Sequence, residues 1–476
     1  MKIWALLLCI PVITLAGCST QQAESLVIEG QVMLCGEGME GVCVQMQHPE
    51  YGTVETYTDS MGIYRFEQAW VGEYSIMPYV EHCEIVPVQR KLNVTDNTVV
   101  NDFVVRPLWE KVYGSDYHDI TMDMAKTLRC GFVYTGKTDY TGSYGIFLMR
   151  VDALGQKLWY KEYAQNWYMS ANSVVALDDG SFVVTGCKAD SINSGNIWIA
   201  RFDGNGDSIW EKIYSGSLWD EGHGIVRIES GSDTGFIIAA TTESAGSGRA
   251  DVYIMKVDNN GNIVGNLFDA LFGGQYNDGV TRVIASKDGG YIFTGFVEYE
   301  TLVRADSRIT KINSMRQHVW SKEYDIDTYD YATDVVELDN GDIIVCGIAY
   351  ETLNRERIWI ARLTGDGNTE VWKKEFSIGR SCGVYGMTLD ATGNILCTGY
   401  TIADNEGISK LLLLSLKQNG EFVWMQTYGS IEGTGYSGRR VVCAGDNGLA
   451  VAGTTIESGT GADVYCLKVN DNGELW

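Results

Sequence analysis

The chain repeats itself from Trp109 to its last residue, and few architectures accommodate such a repeat. WEKVYG at 109 recurs as WYKEYA at 159, WEKIYS at 210, FDALFG at 268, WSKEYD at 320, WKKEFS at 372 and WMQTYG at 424. Trp476 begins a further copy, and the steps are 50, 51, 58, 52, 52, 52 and 52 residues. Inside each unit a Gly- or Asp-rich turn, an apolar run and a small residue recur, as in DDGSFVVTG, DGGYIFTG and DNGDIIVCG. Gly136, Gly186, Gly295, Gly347 and Gly399 each lie 27 residues after their Trp or Phe, while Ala240 and Gly453 lie 30 and 29 after. A third segment such as IWIARFD then leads through an x-x-Gly turn to the next Trp.

Four short strands per unit, hairpin turns and no amphipathic helical period predict an all-β propeller of seven blades over residues 107–476. The Trp, Lys and Tyr of W-x-K-x-Y share one strand face at period two. That face is expected against the neighbouring blade, with the Lys stem along the aromatics and its amine in water. The recurring Gly is expected on an inner strand where a side chain would clash. The first copy, Leu108 to Tyr113, has no three strands before it, and the last unit, roughly Ser437 to Leu475, has only the start of a fourth. The N-terminal strand is therefore expected to complete the last blade and remove two free sheet edges. The units resemble bacterial and archaeal W-x-K-x-Y-G … D-G-G-Y … G propellers and, distantly, quinoprotein propellers. The resemblance implies architecture and no fixed activity.

Residues 26–106 do not repeat. Ile28-Glu29-Gly30-Gln31-Val32 opens this segment, TDSMGIYRF from Thr58 follows, then Gly72-Glu73-Tyr74. Asp-Ser-x-Gly marks a hairpin, and Tyr64 and Phe66 share a face. The order resembles carboxypeptidase-regulatory-like and Cna-B-like modules. It implies a small prealbumin-like β-sandwich used as a spacer or adhesive module.

The first residues carry one Lys and an apolar run from Ile3 to Leu15, ending in Leu15-Ala16-Gly17-Cys18. The run is too short to span a bilayer comfortably, so it reads as an export signal. The ending resembles the lipobox of bacterial lipoproteins. It implies cleavage after residue 17, lipidation of Cys18, a tether over 18–25 and a membrane partner reached through that lipid. Ser19 after the lipidated Cys favours the outer membrane or cell surface.

Lys and Arg number 36 against 62 Asp and Glu, a formal charge of −26. That acidity argues against nucleic acid, whose phosphates need cationic partners. Of 12 Cys, Cys9 leaves with the signal and Cys18 takes lipid. No CxxC occurs, so zinc is poorly supported. One disulfide among Cys35, Cys43 and Cys83 is left open.

Candidate chemistry is sparse, and no cofactor is expected. Asp203, Asn205 and Asp207 alternate as calcium-loop oxygens do. Other units place Leu154, Arg316 and Lys417 in the same turn, so hairpin geometry is the stronger reading. Gly379-Arg380-Ser381-Cys382-Gly383 matches G-x-S-x-G without the strand-to-helix elbow the motif needs. His118 and His223 sit near repeat Asp residues and could converge at a channel mouth. Asp119, Asp220, Asp278 and Asp330 each lie ten residues after their Trp or Phe. Tyr117, Trp219, Tyr276 and Tyr329 accompany them, with Trp167 in the second unit. Aromatics beside carboxylates suit sugar stacking with hydroxyl recognition, or a protein hot spot. The same residues also suit turn caps and blade packing. The resulting expectation is a lipid-anchored envelope protein that binds or scaffolds a glycan or protein ligand. A polysaccharide-active lyase or hydrolase and a purely structural component are the alternatives.

Overall fold

The computed structural model describes residues 26–475 apart from 101, 141–142, 164–167, 190, 192–193, 231–232, 301–303, 353–354, 404–406, 430, 432, 447 and 458–460. Cys18 and Trp167 lie outside the described residues. Among the described residues the chain is nearly all strand, with one 3-10 turn at Leu128–Cys130 and no helix long and apolar enough to cross a membrane. It divides into two compact units, the first within residues 26–33, 38–79 and 87–103, the second comprising 34–37, 80–86 and the residues from 104 onward.

In the first unit Leu26–Leu34 pairs antiparallel with Ile63–Ala69 and parallel with Thr98–Val99. A second sheet runs Gly52–Tyr57, Cys43–His48, Gly72–Tyr79, Arg90–Val94. Alternate residues point inward, so Ile28, Val32, Val44, Met46, Tyr64, Phe66, Tyr74 and Ile76 form the core. Asp59 holds the predicted hairpin, its Oδ1 accepting from the N–H groups of Met61 and Ile63 at 2.8 and 2.9 Å.

The second unit is a succession of four-stranded antiparallel sheets, the arrangement of a β-propeller. One runs Tyr168–Ala176, Phe182–Ala189, Gly195–Phe202, Ser208–Tyr214, and the others follow the same order. The inner strands pack on one another in sequence, and Thr434–Cys443 packs on His118–Lys126. Trp109–Tyr113 pairs antiparallel with Gly461–Val469, with Trp109 opposite Lys468 and Tyr113 opposite Val464.

The W-x-K-x-Y repeat is a clamp on the hairpin turn of the following sheet. Trp109, Trp159, Trp320 and Trp372 donate through Nε1 to the carbonyls of Ala153, Gly204, Gly365 and Gln418 at 3.0–3.2 Å. Tyr163 donates to Gly206 O at 2.5 Å, and Tyr113, Tyr214 and Tyr428 donate likewise to Gly155, Gly261 and Gly473. Lys161 lies 5.9 Å from the Trp159 ring and pairs with Asp207 at 2.6 Å. The third sheet departs from this. Phe268 takes a left-handed φ of 59° and packs on Tyr253, the outer strand shortens to Leu271–Phe272, and Arg316 binds Asp269 and Ile254 O.

Cys35 forms a disulfide with Cys130, while Cys43 and Cys83 are free. The pairing within the N-terminal trio, left open from the sequence, does not form, and Cys35 instead bridges over 95 residues. Nothing in the spacing pointed to Cys130, because it sits in an irregular turn where Arg129 and Cys130 both take positive φ.

Candidate functional site

Every inner strand carries a β-bulge at the same depth. The register skips one residue between Thr121 and Asp123, Ala171 and Ser173, Gly222 and Gly224, and Val280 and Arg282. It skips again between Ala332 and Asp334, Val384 and Gly386, and Gly438 and Arg440. The recurring small residue explains the position. Gly136, Gly186, Gly295, Gly347, Gly399 and Gly453 each stand opposite the residue before the bulge. A Cβ on Gly186, Gly295 or Gly399 would lie 1.9 Å from the carbonyl oxygen of Ser170, Gly279 or Gly383. Ala240 takes this position in the third sheet, opposite Gly222. The crowding thus comes from the paired strand of the same sheet.

A bulge re-aims side chains without breaking the sheet. Here the skipped residues are Met122, Asn172, His223, Thr281, Thr333, Tyr385 and Arg439, and all seven line one cavity of about 350 Å³. The backbone repeats, but the seven side chains offered to the cavity are of six types, Thr alone occurring twice.

The residues after the bulge form its floor. Arg282 reaches Asp123 at 3.2 Å and Asp334 at 3.6 Å, and Arg440 reaches Asp334 at 2.6 Å and Asp123 at 3.6 Å. These four side chains come from four inner strands and close a ring of alternating charge. Each Asp also ties its strand to the next sheet. Asp123 accepts from Ser173 Oγ at 2.8 Å and Val174 N–H at 3.1 Å, and Asp334 accepts from Met387 N–H at 2.8 Å. Burial opposes ionisation of Asp123, but Arg282, Arg440, Ser173 and Val174 outweigh it and hold the carboxyl below the ordinary value.

One wall carries a polar cluster. Glu221 accepts from Asn172 Nδ2 and Ser170 Oγ, both at 2.7 Å, and from Trp219 Nε1 at 3.2 Å. The Trp219 ring meets Tyr168 at 5.4 Å, and Tyr168 accepts from Lys137 at 2.9 Å. Burial raises the Glu221 pKa, yet His223, Lys137, Asn172 and Ser170 prevail and lower it. His223 is held below its ordinary value by desolvation, against the pull of Glu221. Another wall is aromatic. Arg439 stacks at 4.3 Å over Tyr385, which stacks on Tyr400 at 6.0 Å.

The residues singled out from sequence have mixed placements. Asp119, Asp220, Asp278 and Asp330 are buried and cap their own turns through Oδ2. Their donors are the N–H groups of Ser115, Gly216, Gly274 and Ile326, at 2.6–3.1 Å. Burial raises Asp278 and Asp330 to about 6. Trp219 reaches the cavity wall through Glu221. Tyr117, Tyr276 and Tyr329 stand in the turns or first strand positions of separate sheets. His223 lines the cavity, whereas His118 is exposed at the start of its strand.

The Asp203 turn uses its oxygens internally. Asp203 Oδ1 accepts from Asn205 and Asp207 N–H, Asp207 pairs with Lys161, and the Gly204 and Gly206 carbonyls receive Trp159 and Tyr163. Asp306, Asp325 and Asp330 bring carboxylate oxygens within 4.8 Å of one another, and the Arg304 guanidinium already binds Asp306 at 2.9 Å and Asp325 at 2.6 Å. Ser381 donates to Glu356 at 3.2 Å at the start of a strand, so the G-x-S-x-G match has no elbow.

No protein-family model and no curated protein matches the chain. Solved structures similar to it include the NanB sialidase from Streptococcus pneumoniae, at 10% identity and a TM-score of 0.44, over 94% of this chain and 95% of that one. Sqt1 from Chaetomium thermophilum, bound to the N-terminus of the ribosomal protein L10, is 11% identical with a TM-score of 0.41, over 73% and 88%. A puromycin hydrolase is 12% identical with a TM-score of 0.44, over 72% of this chain and 51% of that one.

Proposed function

We propose that this chain is a lipid-anchored binding or scaffold protein of the cell envelope. In this reading a small β-sandwich precedes a seven-bladed propeller closed by Trp109–Tyr113, and the ligand, a glycan or a protein, sits in the cavity at the mouth of the propeller channel. The observation that carries the reading is the bulge ring. Seven copies of one backbone irregularity present side chains of six types to one cavity. Packing alone would favour repeating the same residue at a repeated position. Recognition of an asymmetric ligand calls for different ones.

The Asp123–Arg282–Asp334–Arg440 ring supports a blind cavity. It also supports binding over a lyase or hydrolase role, since the two floor carboxylates are committed to ion pairs and the wall carboxylate Glu221 is held by Asn172, Ser170 and Trp219. The Cys35–Cys130 bridge supports export to an oxidising compartment. The Leu15-Ala16-Gly17-Cys18 box supports lipidation, which metabolic lipid labelling lost in Cys18→Ser would test.

The cavity is tested with glycan and peptide arrays probed by protein lacking residues 1–24. Met122→Trp adds bulk at a lining position whose side chain makes no hydrogen bond. Hits that vanish in this variant, with the fold intact by circular dichroism, support the reading. Hits that persist place the ligand elsewhere and contradict it.

A further inference from the structure

Arg439 differs from the other arginines of the cavity. Arg282 and Arg440 are each held between two aspartates, whereas Arg439 makes no ion pair among the described residues. Its guanidinium lies over Tyr385, and its Nε, like those of Arg282 and Arg440, is buried without an acceptor. Asn172, from a different inner strand, shows the complementary deficit. Its Nδ2 donates to Glu221 and to Gly222 O at 2.7 and 2.9 Å, while its Oδ1 is buried without a donor. A charge or an acceptor withdrawn from water without a partner is costly, so unpaired groups lining one cavity mark what a ligand supplies.

Two features narrow that ligand. The floor is balanced, two aspartates against two arginines, and among the described residues Arg439 lines the cavity as an arginine without a carboxylate partner, in a chain whose overall charge is −26. General attraction does not bring an anion here, and a specific pairing with a carboxylate does. The neighbouring groups are acceptors for hydroxyls. Thr281 and Thr333 already donate to the carbonyls of Ala332 and Cys346, at 2.6 and 3.3 Å, and keep lone pairs free. An array of hydroxyl and amide acceptors beside a stacked aromatic matches a polyhydroxylated ring better than an apolar peptide side chain.

We infer that the cavity binds a uronic acid residue of an acidic glycan, its carboxylate on Arg439 and a hydroxyl donating to Asn172 Oδ1. This rests on the reading of the cavity as the ligand site. A volume of about 350 Å³ suits one or two sugar rings.

The test titrates the full chain in detergent with galacturonate and glucuronate oligosaccharides and with their neutral galactose and glucose counterparts. A uronate oligosaccharide is expected to bind at least about tenfold more tightly than its neutral counterpart, as a charge-assisted hydrogen bond requires. Arg439→Gln is expected to remove that preference while lowering the melting temperature only slightly, because it loses the contact with Tyr385 but no ion pair. Arg439→Lys should keep part of it, and Asn172→Leu should weaken the same oligosaccharide. Equal affinity for charged and neutral sugars, or indifference to Arg439→Gln, overturns the assignment. A peptide or neutral glycan that binds and is lost in Met122→Trp overturns the uronate while leaving the cavity reading standing. Absence of any ligand lost in Met122→Trp overturns both.

Discussion

Arg440 donates to the Asp334 carboxylate at 2.6 Å across 106 residues of sequence, and the same carboxylate accepts the Met387 N–H of the next sheet. One side chain therefore joins a cross-channel ion pair to a link between neighbouring sheets. Asp334→Ala strands Arg282 and Arg440 on a single carboxylate and leaves the Met387 amide without its acceptor. It is expected to cost about 3–5 kcal/mol, the range for breaking a buried pair from one side. Urea unfolding measures it, and a loss under about 1 kcal/mol would show the ring to be solvated.

Gly399→Ala sets a Cβ 1.9 Å from Gly383 O, a backbone atom with no rotamer to yield. The expected cost is about 1–3 kcal/mol, with distortion of the bulge. Ala240→Gly is the control, since the chain already carries a Cβ at that position. The control should change stability by no more than about 1 kcal/mol. Equal losses in both would mean the recurring glycine does not set the bulge.

The repeat period and the strand order were readable because W-x-K-x-Y and the small residue recur at fixed spacing, and both proved to hold backbone geometry. The cavity was not readable for the same reason. Met122, Asn172, His223, Thr281, Thr333 and Tyr385 each lie 13 residues after their Trp or Phe, but only Thr281 and Thr333 share a residue type. The variable column inside an otherwise regular strand was the available signal. Asp119, Asp220, Asp278 and Asp330 drew attention because they recur, and they recur because each caps the same turn. Cys130 escaped because disulfide pairing depends on tertiary proximity rather than on spacing.

Asp330 carries a pH prediction. Burial, first, and then the carboxylates of Asp327 and Asp306 raise it to about 6, against hydrogen bonds from the Asp327 and Ile326 amides. An unfolded Asp titrates near ~3.9. The folded chain therefore holds the extra proton between these values, and this group's contribution to stability falls as pH rises from about 4 to about 6. Asp330→Asn keeps an oxygen for the two amides and gives the unpartnered Oδ1 position a donor facing Asp306 and Asp325. The variant should gain stability over the parent at pH 7.5 and much less at pH 4.5, as read by chemical unfolding at the two values. A gain that is equal or larger at pH 4.5 contradicts the burial account.

The pairing of Trp109–Tyr113 with Gly461–Val469 predicts a sharp dependence on where the chain begins. Truncation before Trp109 retains the strand, and truncation after Val112 removes the Trp109 indole and its bond to Ala153. The shorter protein should melt lower or aggregate through the exposed edge. Equal melting temperatures would exclude closure by this strand.

The most direct measurement is the crystal structure of the protein with its best-binding saccharide. Ligand density is expected between Arg439 and Asn172, with a carboxylate on the guanidinium and the Asp123–Arg282–Asp334–Arg440 ring undisturbed beneath it. Density on the first unit or on the outer strands, with the cavity holding only solvent, would contradict it.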